Sequence, residues 1–462
     1  MSDQTPQDDD EYGDDAVGVS RRGFLTGIGV AGVVGIAVGG GIGYATAPKS
    51  SGSASGGGST TGPTGEPSVS PSTSSETIKV GLVAPVTGPY SGDGQEMQRG
   101  AELGVEAVNK AGGVHGRQLE LVIADVSDLS PELYVKAAQR LTGEVGAAAV
   151  FSGYCSNDSA EFATYAQSGV PMFHFNTLQA NVDYVKSNKI TNIYEGCPTE
   201  IWYGKGFVPL MQSWIDQGLW KPSSKTAAVV TSNDPYSISI AKAVQAELAK
   251  IGWTTPIYEE VTAPTADWGP VLAKIRATPP GLIFVTDYIA GDLAAFAKQF
   301  ATAPTPSLLY QQYGPSVPEY LDLAGEAANG VVWSTTIGLL PDAIGKAFAD
   351  VYRAKYNAEP GLSQAGGQYD IIRMWARTAN QATDPADFPK VNELLKSAIF
   401  RGVNGTYTFV PGQLSVPPYP DEINDPSLAM PHLTYQIQNL KQVCVAPAPY
   451  TGGAFTLPPW LA

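Results

Sequence analysis

Short apolar segments alternate with stretches of helical periodicity along most of this chain, and this alternation is its most constraining feature. Residues 78–84 form an apolar run rich in β-branched residues, which is typical of a buried strand. Met97, Ala101 and Val108 then recur at helical spacing, and Gly112 stops the helix. Strands without polar alternation indicate a parallel sheet that is covered by helices on both faces.

The same rhythm restarts after Lys225, so we predict an α/β fold with two doubly wound parallel-sheet lobes. The pattern predicts strands at 78–84, 119–124, 147–151, 170–175, 226–231, 257–261, 282–286, 307–310, 330–335, 434–437 and 443–445. It predicts further helices at 131–141, 158–166, 237–251, 268–277, 292–300, 343–356, 368–382 and 391–397. Ligands of such sheets bind beyond the carboxyl ends of the strands, where this sequence is rich in Ser, Tyr, Asn and Thr.

The first 76 residues have a different composition. Arg21 and Arg22 precede an uncharged stretch of Gly, Val, Ile and Ala that runs to about Ala47. This pattern predicts a twin-arginine export signal over 1–47, cut or retained, with a plain membrane anchor as the alternative. Residues 48–76 are almost wholly Ser, Gly, Thr, Pro and Glu, which is typical of a disordered linker.

Composition excludes several classes of function. Asp and Glu number 44 and Lys and Arg only 28, and the net charge of −16 would repel a nucleic-acid backbone. The spacing of Cys155, Cys197 and Cys444 fits no zinc motif, so we expect no metal, and no motif indicates a cofactor. The sequence leaves open whether two of these cysteines form a disulfide.

Several motifs together resemble one family. Residues 78–82, the Thr87-Gly88-Pro89 turn and the segment 109–117 (NKAGGVHGR) are similar to the start of type I solute-binding proteins of ABC importers, in the branch for branched-chain amino acids, amides and urea. The resemblance implies a clam-shell of two lobes joined by three crossovers, near Cys197, Thr335 and Gly405. The first lobe would be 77–197 plus 335–405, and the second 198–334 plus 406–462.

The same resemblance implies where a ligand binds. Ser156 matches a serine that grips a ligand oxygen, and Tyr154 matches an aromatic residue of the amide-binding members. Asn176 and Thr177 fall in the loop that holds the same ligand end, and Tyr236 matches a tyrosine that covers the ligand. Ser156 is also a good candidate for a helix cap. Further candidates for the ligand site are Tyr288, Tyr313, Cys155, His174 and Cys197.

One segment departs from the family pattern. Amino-acid-binding members commonly carry an acidic residue after the 307–310 strand, whereas residues 311–315 here are Gln-Gln-Tyr-Gly-Pro. Because a buried ammonium without a counter-charge is costly, a neutral amide, a urea-like compound or an aromatic acid is expected rather than a plain amino acid. Asp287 or Glu195 could supply the missing charge.

We therefore expect an extracytoplasmic receptor that delivers a small organic ligand to the permease of an ABC importer, as a monomer and without catalysis. A ligand-sensing module for a membrane receptor is the alternative. An exported hydrolase is a third hypothesis, but the sequence has no G-x-S-x-G or H-E-x-x-H motif. Its one conceivable nucleophile and base are Cys155 and His174.

Overall fold

The computed structural model describes residues 76–462. The predicted export signal over 1–47 lies outside the described residues, as does the predicted linker over 48–76 apart from Glu76. No helix within 76–462 has the length and apolar character that a membrane crossing requires.

Residues 78–195 build a five-stranded sheet whose strands are all parallel, in the order β2-β1-β3-β4-β5. We call this sheet and the helices packed on it the first lobe. Its elements in chain order are β1 (Ile78–Ala84), α1 (Ser91–Lys110), β2 (Leu119–Asp125), α2 (Pro131–Gln139), a π-helical turn (Arg140–Glu144), β3 (Val150–Ser152), α3 (Phe162–Ser168), β4 (Met172–His174), α4 (Gln179–Ser187) and β5 (Ile193–Glu195).

A second sheet follows, with helices on both of its faces, and we call it and its helices the second lobe. Its elements are α5 (Ile201–Asp216), β6 (Thr226–Ser232), α6 (Pro235–Lys250), β7 (Thr254–Val261), α7 (Gly269–Ala277), β8 (Leu282–Val285), α8 (Ala290–Ala301), β9 (Leu308–Gln311), α9 (Pro318–Ala324) and β10 (Val332–Thr335). Short 3-10 turns lie at Gly314–Ser316 and Gly325–Ala328.

The rest of the chain returns to both lobes. Helix α11 packs on α1, while the last two strands join the second sheet antiparallel and give it the order β16-β15-β10-β9-β8-β6-β7. These elements are α10 (Ala343–Tyr356), α11 (Gln364–Ala379), α12 (Phe388–Lys396), β11 (Phe400–Arg401), β12 (Thr406–Tyr407), β13 (Pro418–Tyr419), β14 (Met430–Pro431), β15 (Leu433–Gln438) and β16 (Lys441–Ala446). The predicted α/β class with two parallel-sheet lobes is confirmed.

Adjacent residues of the central strands face different cores. In β8, Ile283 packs in one hydrophobic cluster and Phe284 in another, and Leu309 and Tyr310 of β9 divide in the same way. Both faces of the second sheet are therefore buried. This arrangement explains why the strands lack polar alternation in the sequence.

The segment after β12 packs on the first lobe. Tyr407, Leu414 and Val416 belong to the core cluster of that lobe, and the backbone N–H of Glu195 donates to the carbonyl of Leu414 at 2.9 Å. The lobe boundaries remain a prediction, and this packing argues for placing the third crossover after residue 416 rather than near Gly405.

Helix α1 approaches α11 closely through glycine. A Cβ atom at Gly100 would lie 2.1 Å from the carbonyl oxygen of Ala365, so no larger residue fits without moving the two helices apart. This contact fixes the first residues of α11 against the first lobe.

We expect Gly100→Ala to lower the free energy of unfolding by about 1–3 kcal/mol, because the added methyl group overlaps the backbone of α11. Urea denaturation measures the difference. Gly143→Ala is the matched control, since a Cβ atom there meets no atom within 4 Å. The close contact would be refuted if both variants unfolded at the same urea concentration.

Candidate functional site

A cavity of about 160 Å³ lies between the loops that follow the strands of the two sheets. The first lobe contributes residues that follow β1, β2, β3 and β4, and the second lobe contributes residues that follow β6 and β8. This is where open parallel sheets bind ligands. An apolar cavity of about 150 Å³ holds benzene, so the space suits a small organic molecule.

Seven of the ten residues predicted for the site line this cavity. They are Tyr154, Cys155, Asn176, Thr177, Tyr236, Tyr288 and Tyr313. The other three, Ser156, His174 and Cys197, are buried beside it but are not part of its wall.

Ser156 is turned away from the cavity by its own loop. Its hydroxyl lies 3.0 Å from a carboxylate oxygen of Asp158, accepts a hydrogen bond from the N–H of Ala160 at 3.0 Å, and donates to Glu161. The hydrogen bonds of the hydroxyl are therefore all made within the turn that precedes α3. The structure favours a role for Ser156 in this turn over a ligand contact, and the N-cap of α3 is Glu161 rather than Ser156.

Cys155 and His174, the conceivable nucleophile and base, share no hydrogen bond, and burial makes the histidine a weak base and the thiol hard to deprotonate. Burial lowers the pKa of His174 to about 3, and burial raises the pKa of the Cys155 thiol well above its ordinary value. The His174 ring packs against Phe162, with 5.4 Å between ring centroids. All three cysteines are buried and free.

Aromatic rings form much of the cavity wall, with Tyr288 at their centre. Tyr90 stacks on Tyr288 at 6.3 Å between centroids, and the rings of Tyr154 and Tyr236 meet it edge-on at 6.4 Å and 5.6 Å. Such a wall favours a ligand with a flat or apolar body.

The polar lining is neutral or acidic. Neither Asp287 nor Glu195, the carboxylates suggested by the sequence, lines the cavity, whereas Asp234 does. Asp234 caps α6, where its two oxygens accept hydrogen bonds from the N–H of Ser237 at 2.9 Å and from the hydroxyl of Ser232 at 2.7 Å. No Lys, Arg or His side chain lines this cavity.

Sequence reasoning missed several wall residues although it identified their loops. Tyr90, Asn157, Asn233 and Asp234 lie in the loops that follow strands β1, β3 and β6, and that position was the available signal. Gln364 gave no such signal, because it begins a helix of the first lobe that is distant in sequence. Among residues 76–462, no three His, Cys, Asp or Glu side chains are grouped as a metal site.

A half-buried carboxylate joins the two lobes beside the cavity. Asp93, in the first turn of α1, accepts hydrogen bonds from the hydroxyl of Tyr154 in its own lobe and from that of Tyr313 in the second lobe, the latter at 2.8 Å. Burial raises the pKa of Asp93 to about 6, although the two tyrosines oppose the rise. Because their hydroxyls point to Asp93, Tyr154 and Tyr313 offer their rings to the cavity.

A chain of hydrogen bonds runs from the cavity into the second lobe. Gln312 donates to the hydroxyl of Tyr236 at 3.1 Å and accepts from Tyr310 at 2.5 Å. Tyr310 then meets Ser334 at 2.5 Å, and Ser334 lies 3.1 Å from Nε2 of His432.

Ser334, His432 and Asp421 also resemble the order of a serine-hydrolase triad, since Nδ1 of His432 lies 2.9 Å from Asp421. Ser334 is fully buried and none of the three lines the cavity, so a substrate placed there would not meet the hydroxyl. The arrangement acts as a buried structural network.

The Asp93 carboxyl makes the stability of the protein depend on pH in a defined direction. Its pKa rises from 3.8 in the unfolded chain to about 6 in the folded protein, so the folded state holds the proton more tightly between these values. The contribution of Asp93 to stability is therefore greatest at low pH and falls as pH rises through this window.

We expect Asp93→Asn, which stays neutral, to gain about 3 kcal/mol of unfolding free energy relative to the wild type between pH 4 and pH 7. Urea titrations at several pH values measure this difference. Asp322→Asn, at an exposed position, controls for the loss of one charge. A difference between Asp93→Asn and wild type that did not change with pH would contradict a buried carboxylate at this junction.

Comparisons with known proteins agree with this geometry. Residues 77–414 match the family model described as periplasmic binding protein. The chain is 27% identical to a leucine-, isoleucine-, valine-, threonine- and alanine-binding protein of Pseudomonas aeruginosa over 72% of this chain and 85% of that protein. It is 36% identical to a crystal structure of a putative branched-chain amino acid ABC transporter from Silicibacter pomeroyi, with a TM-score of 0.77, over 83% of this chain and all of that chain.

A branched-chain amino acid transporter substrate-binding protein from Streptococcus pneumoniae, solved with isoleucine, shares the fold with a TM-score of 0.65 at 23% identity, over 80% of this chain and all of that chain. The chain belongs to the periplasmic binding protein family.

Proposed function

We propose that this protein is the extracytoplasmic receptor of an ABC importer, which encloses one small organic molecule between its lobes and performs no chemistry on it. The observation that carries the proposal is the cavity itself, since loops from the carboxyl ends of both sheets form its wall. Aromatic rings and a few polar groups are the usual composition of a small-molecule site.

We propose an amino acid with an apolar or aromatic side chain as the ligand. Asp234 puts a carboxylate on the cavity wall, where it would face a ligand ammonium, and the ring of Tyr288 and its neighbours would receive the side chain. The names of the relatives in Pseudomonas aeruginosa and Silicibacter pomeroyi support this class.

A neutral amide, a urea-like compound or an aromatic acid is the second candidate. One observation favours it: both oxygens of Asp234 already accept hydrogen bonds from Ser232 and Ser237. An ammonium would then have to share a carboxylate that also caps α6.

Lobe closure gives the receptor its two states. Asp93 and Tyr313 bond the lobes beside the cavity, so a ligand held by both walls would favour the bonded, closed arrangement over an open one. The closed form is the one that the permease would recognise.

The proposed function predicts a thermal shift with a specific class of compound. Leucine, isoleucine, valine, threonine, alanine and phenylalanine would be compared with isobutyramide, benzamide, urea and benzoate on residues 77–462. A ligand at 100 times its dissociation constant adds about 2.7 kcal/mol, which is readily measured as a rise in melting temperature. Stabilisation by amides and not by amino acids would favour the second candidate. Turnover of an amide or ester without any thermal shift would contradict the receptor function.

A variant separates the two ligand classes. Asp234→Asn keeps a good helix cap but removes the charge. We expect it to weaken binding of an amino acid by about tenfold or more, which corresponds to about 1.4 kcal/mol, and to leave binding of a neutral amide nearly unchanged. Titration calorimetry measures both, and Asp322→Asn, at an exposed position that does not line the cavity, is the control for the loss of one charge. Equal losses for both ligands would argue against ammonium recognition by Asp234.

A further inference from the structure

Gln364 carries a buried carboxamide that has no hydrogen-bond partner among the described residues 76–462. The residue is only 1% exposed, yet neither Nε2 nor Oε1 has a hydrogen-bond partner, and the residue lines the cavity. A buried amide that is left unpaired destabilises a fold, and natural proteins contain few of them. Its place on the cavity wall indicates that it pairs with a ligand.

Neighbouring residues hold this carboxamide in place. Gln364 is the first residue of α11, which the close contact at Gly100 holds against α1. A Cβ atom at Gly153 would lie 2.8 Å from Oε1 of Gln364 and 2.1 Å from Cε of Met97, so glycine at this position leaves the room that both side chains occupy. These contacts fix the backbone of Gln364 and leave space for its side chain beside Gly153.

The chemistry of the cavity limits what Gln364 can recognise. A carboxamide presents a donor and an acceptor side by side, and its partner must offer an acceptor and a donor in the same arrangement. The α-amino and carboxylate groups of an amino acid do so, and so does a primary amide. A simple carboxylate offers only acceptors.

We infer that Gln364 is a specificity-determining residue whose carboxamide binds the polar end of the ligand through one donated and one accepted hydrogen bond. This inference rests on the proposed function and adds to it the atoms that select the ligand. It ranks compounds with a paired donor and acceptor above those with a carboxylate alone.

Gln368 provides a matched control one turn along the same helix. It is also fully buried with both side-chain atoms unpartnered, but it does not line the cavity. Replacing either glutamine by methionine keeps the length of the side chain and removes its hydrogen-bonding groups. Only one of the two replacements should affect the ligand.

The experiment compares Gln364→Met, Gln368→Met and the wild type with two pairs of probes, leucine against 4-methylpentanoate and benzamide against benzoate. The first member of each pair has a donor beside its acceptor and the second has acceptors only. We expect Gln364→Met to weaken whichever of leucine and benzamide binds the wild type by about 10- to 100-fold, and Gln368→Met to stay within about threefold. The preference for that probe over its acceptor-only partner should shrink in Gln364→Met.

Melting of each variant without ligand shows whether it folds. Both methionine variants should melt no lower than the wild type, because each removes an unpaired buried amide. A folded Gln364→Met that binds leucine or benzamide like the wild type would overturn the inference and leave the receptor function standing. Gln364→Asn, a second variant with a shorter carboxamide, should retain part of the preference for the probe with a paired donor and acceptor. If Gln364→Asn and Gln368→Met both lost this preference completely, the inference would also be overturned. A wild type that binds none of the probes would contradict both proposals.

Discussion

The half-buried carboxylate of Asp93 is a point at which hydrogen bonds join the two lobes. It lies in the first turn of α1, where the helix dipole favours a negative charge, yet burial still raises its pKa to about 6. Tyr154 and Tyr313 stabilise the charge from opposite lobes, so separating the lobes would remove one of its two donors. Because both tyrosines are also cavity walls, the shape of the cavity depends on the same contact. The contact between the lobes and the shape of the cavity therefore depend on the same two tyrosines.

A chain of hydrogen bonds connects the cavity wall to distant parts of the second lobe. The hydrogen bonds run from Tyr236 through Gln312, Tyr310 and Ser334 to His432. His432 lies between β14 and β15. Ser334 is in β10, immediately before the chain crosses back to the first lobe, and a Cβ atom at Gly206 would lie 2.5 Å from Nδ1 of His432. The network thus links the cavity wall at Tyr236 to the segment after β10 and to the segment before β15. This position explains why polar residues occupy strands that are otherwise apolar.

The sequence was sufficient for the fold wherever local periodicity and burial agreed, as in β1 and α10, and it failed where tertiary contacts overrode local signals. Helix α5 was not predicted, because Pro209 lies inside it and Gly204 and Gly206 interrupt its pattern. Gly204 packs against the backbone of α6, where a Cβ atom would lie 2.5 Å from the N–H of Val244.

The residues of the candidate site also fall into those that local sequence predicts and those that depend on tertiary contacts. Tyr236 and Asn176 were predictable because they follow strands. By contrast, Ser156 bonds to Glu161, and Gln364 is brought to the cavity by tertiary packing. Neither contact can be predicted from the local sequence pattern.

A receptor must release its ligand to the membrane complex, and the chemistry of this cavity suits that task. Its walls are aromatic rings and neutral hydrogen-bonding groups, and the carboxylate of Asp234 is already shared with the cap of α6. A charge that is partly satisfied by its own helix binds an ammonium less strongly than an unpaired one, and the unpaired amide of Gln364 adds selectivity without adding charge. The carboxylate of Asp93 does not line the cavity, and it accepts the hydrogen bond that joins the lobes. The carboxylate on the cavity wall and the carboxylate between the lobes are thus different groups, while Tyr154 and Tyr313 take part in both the wall and the contact between lobes.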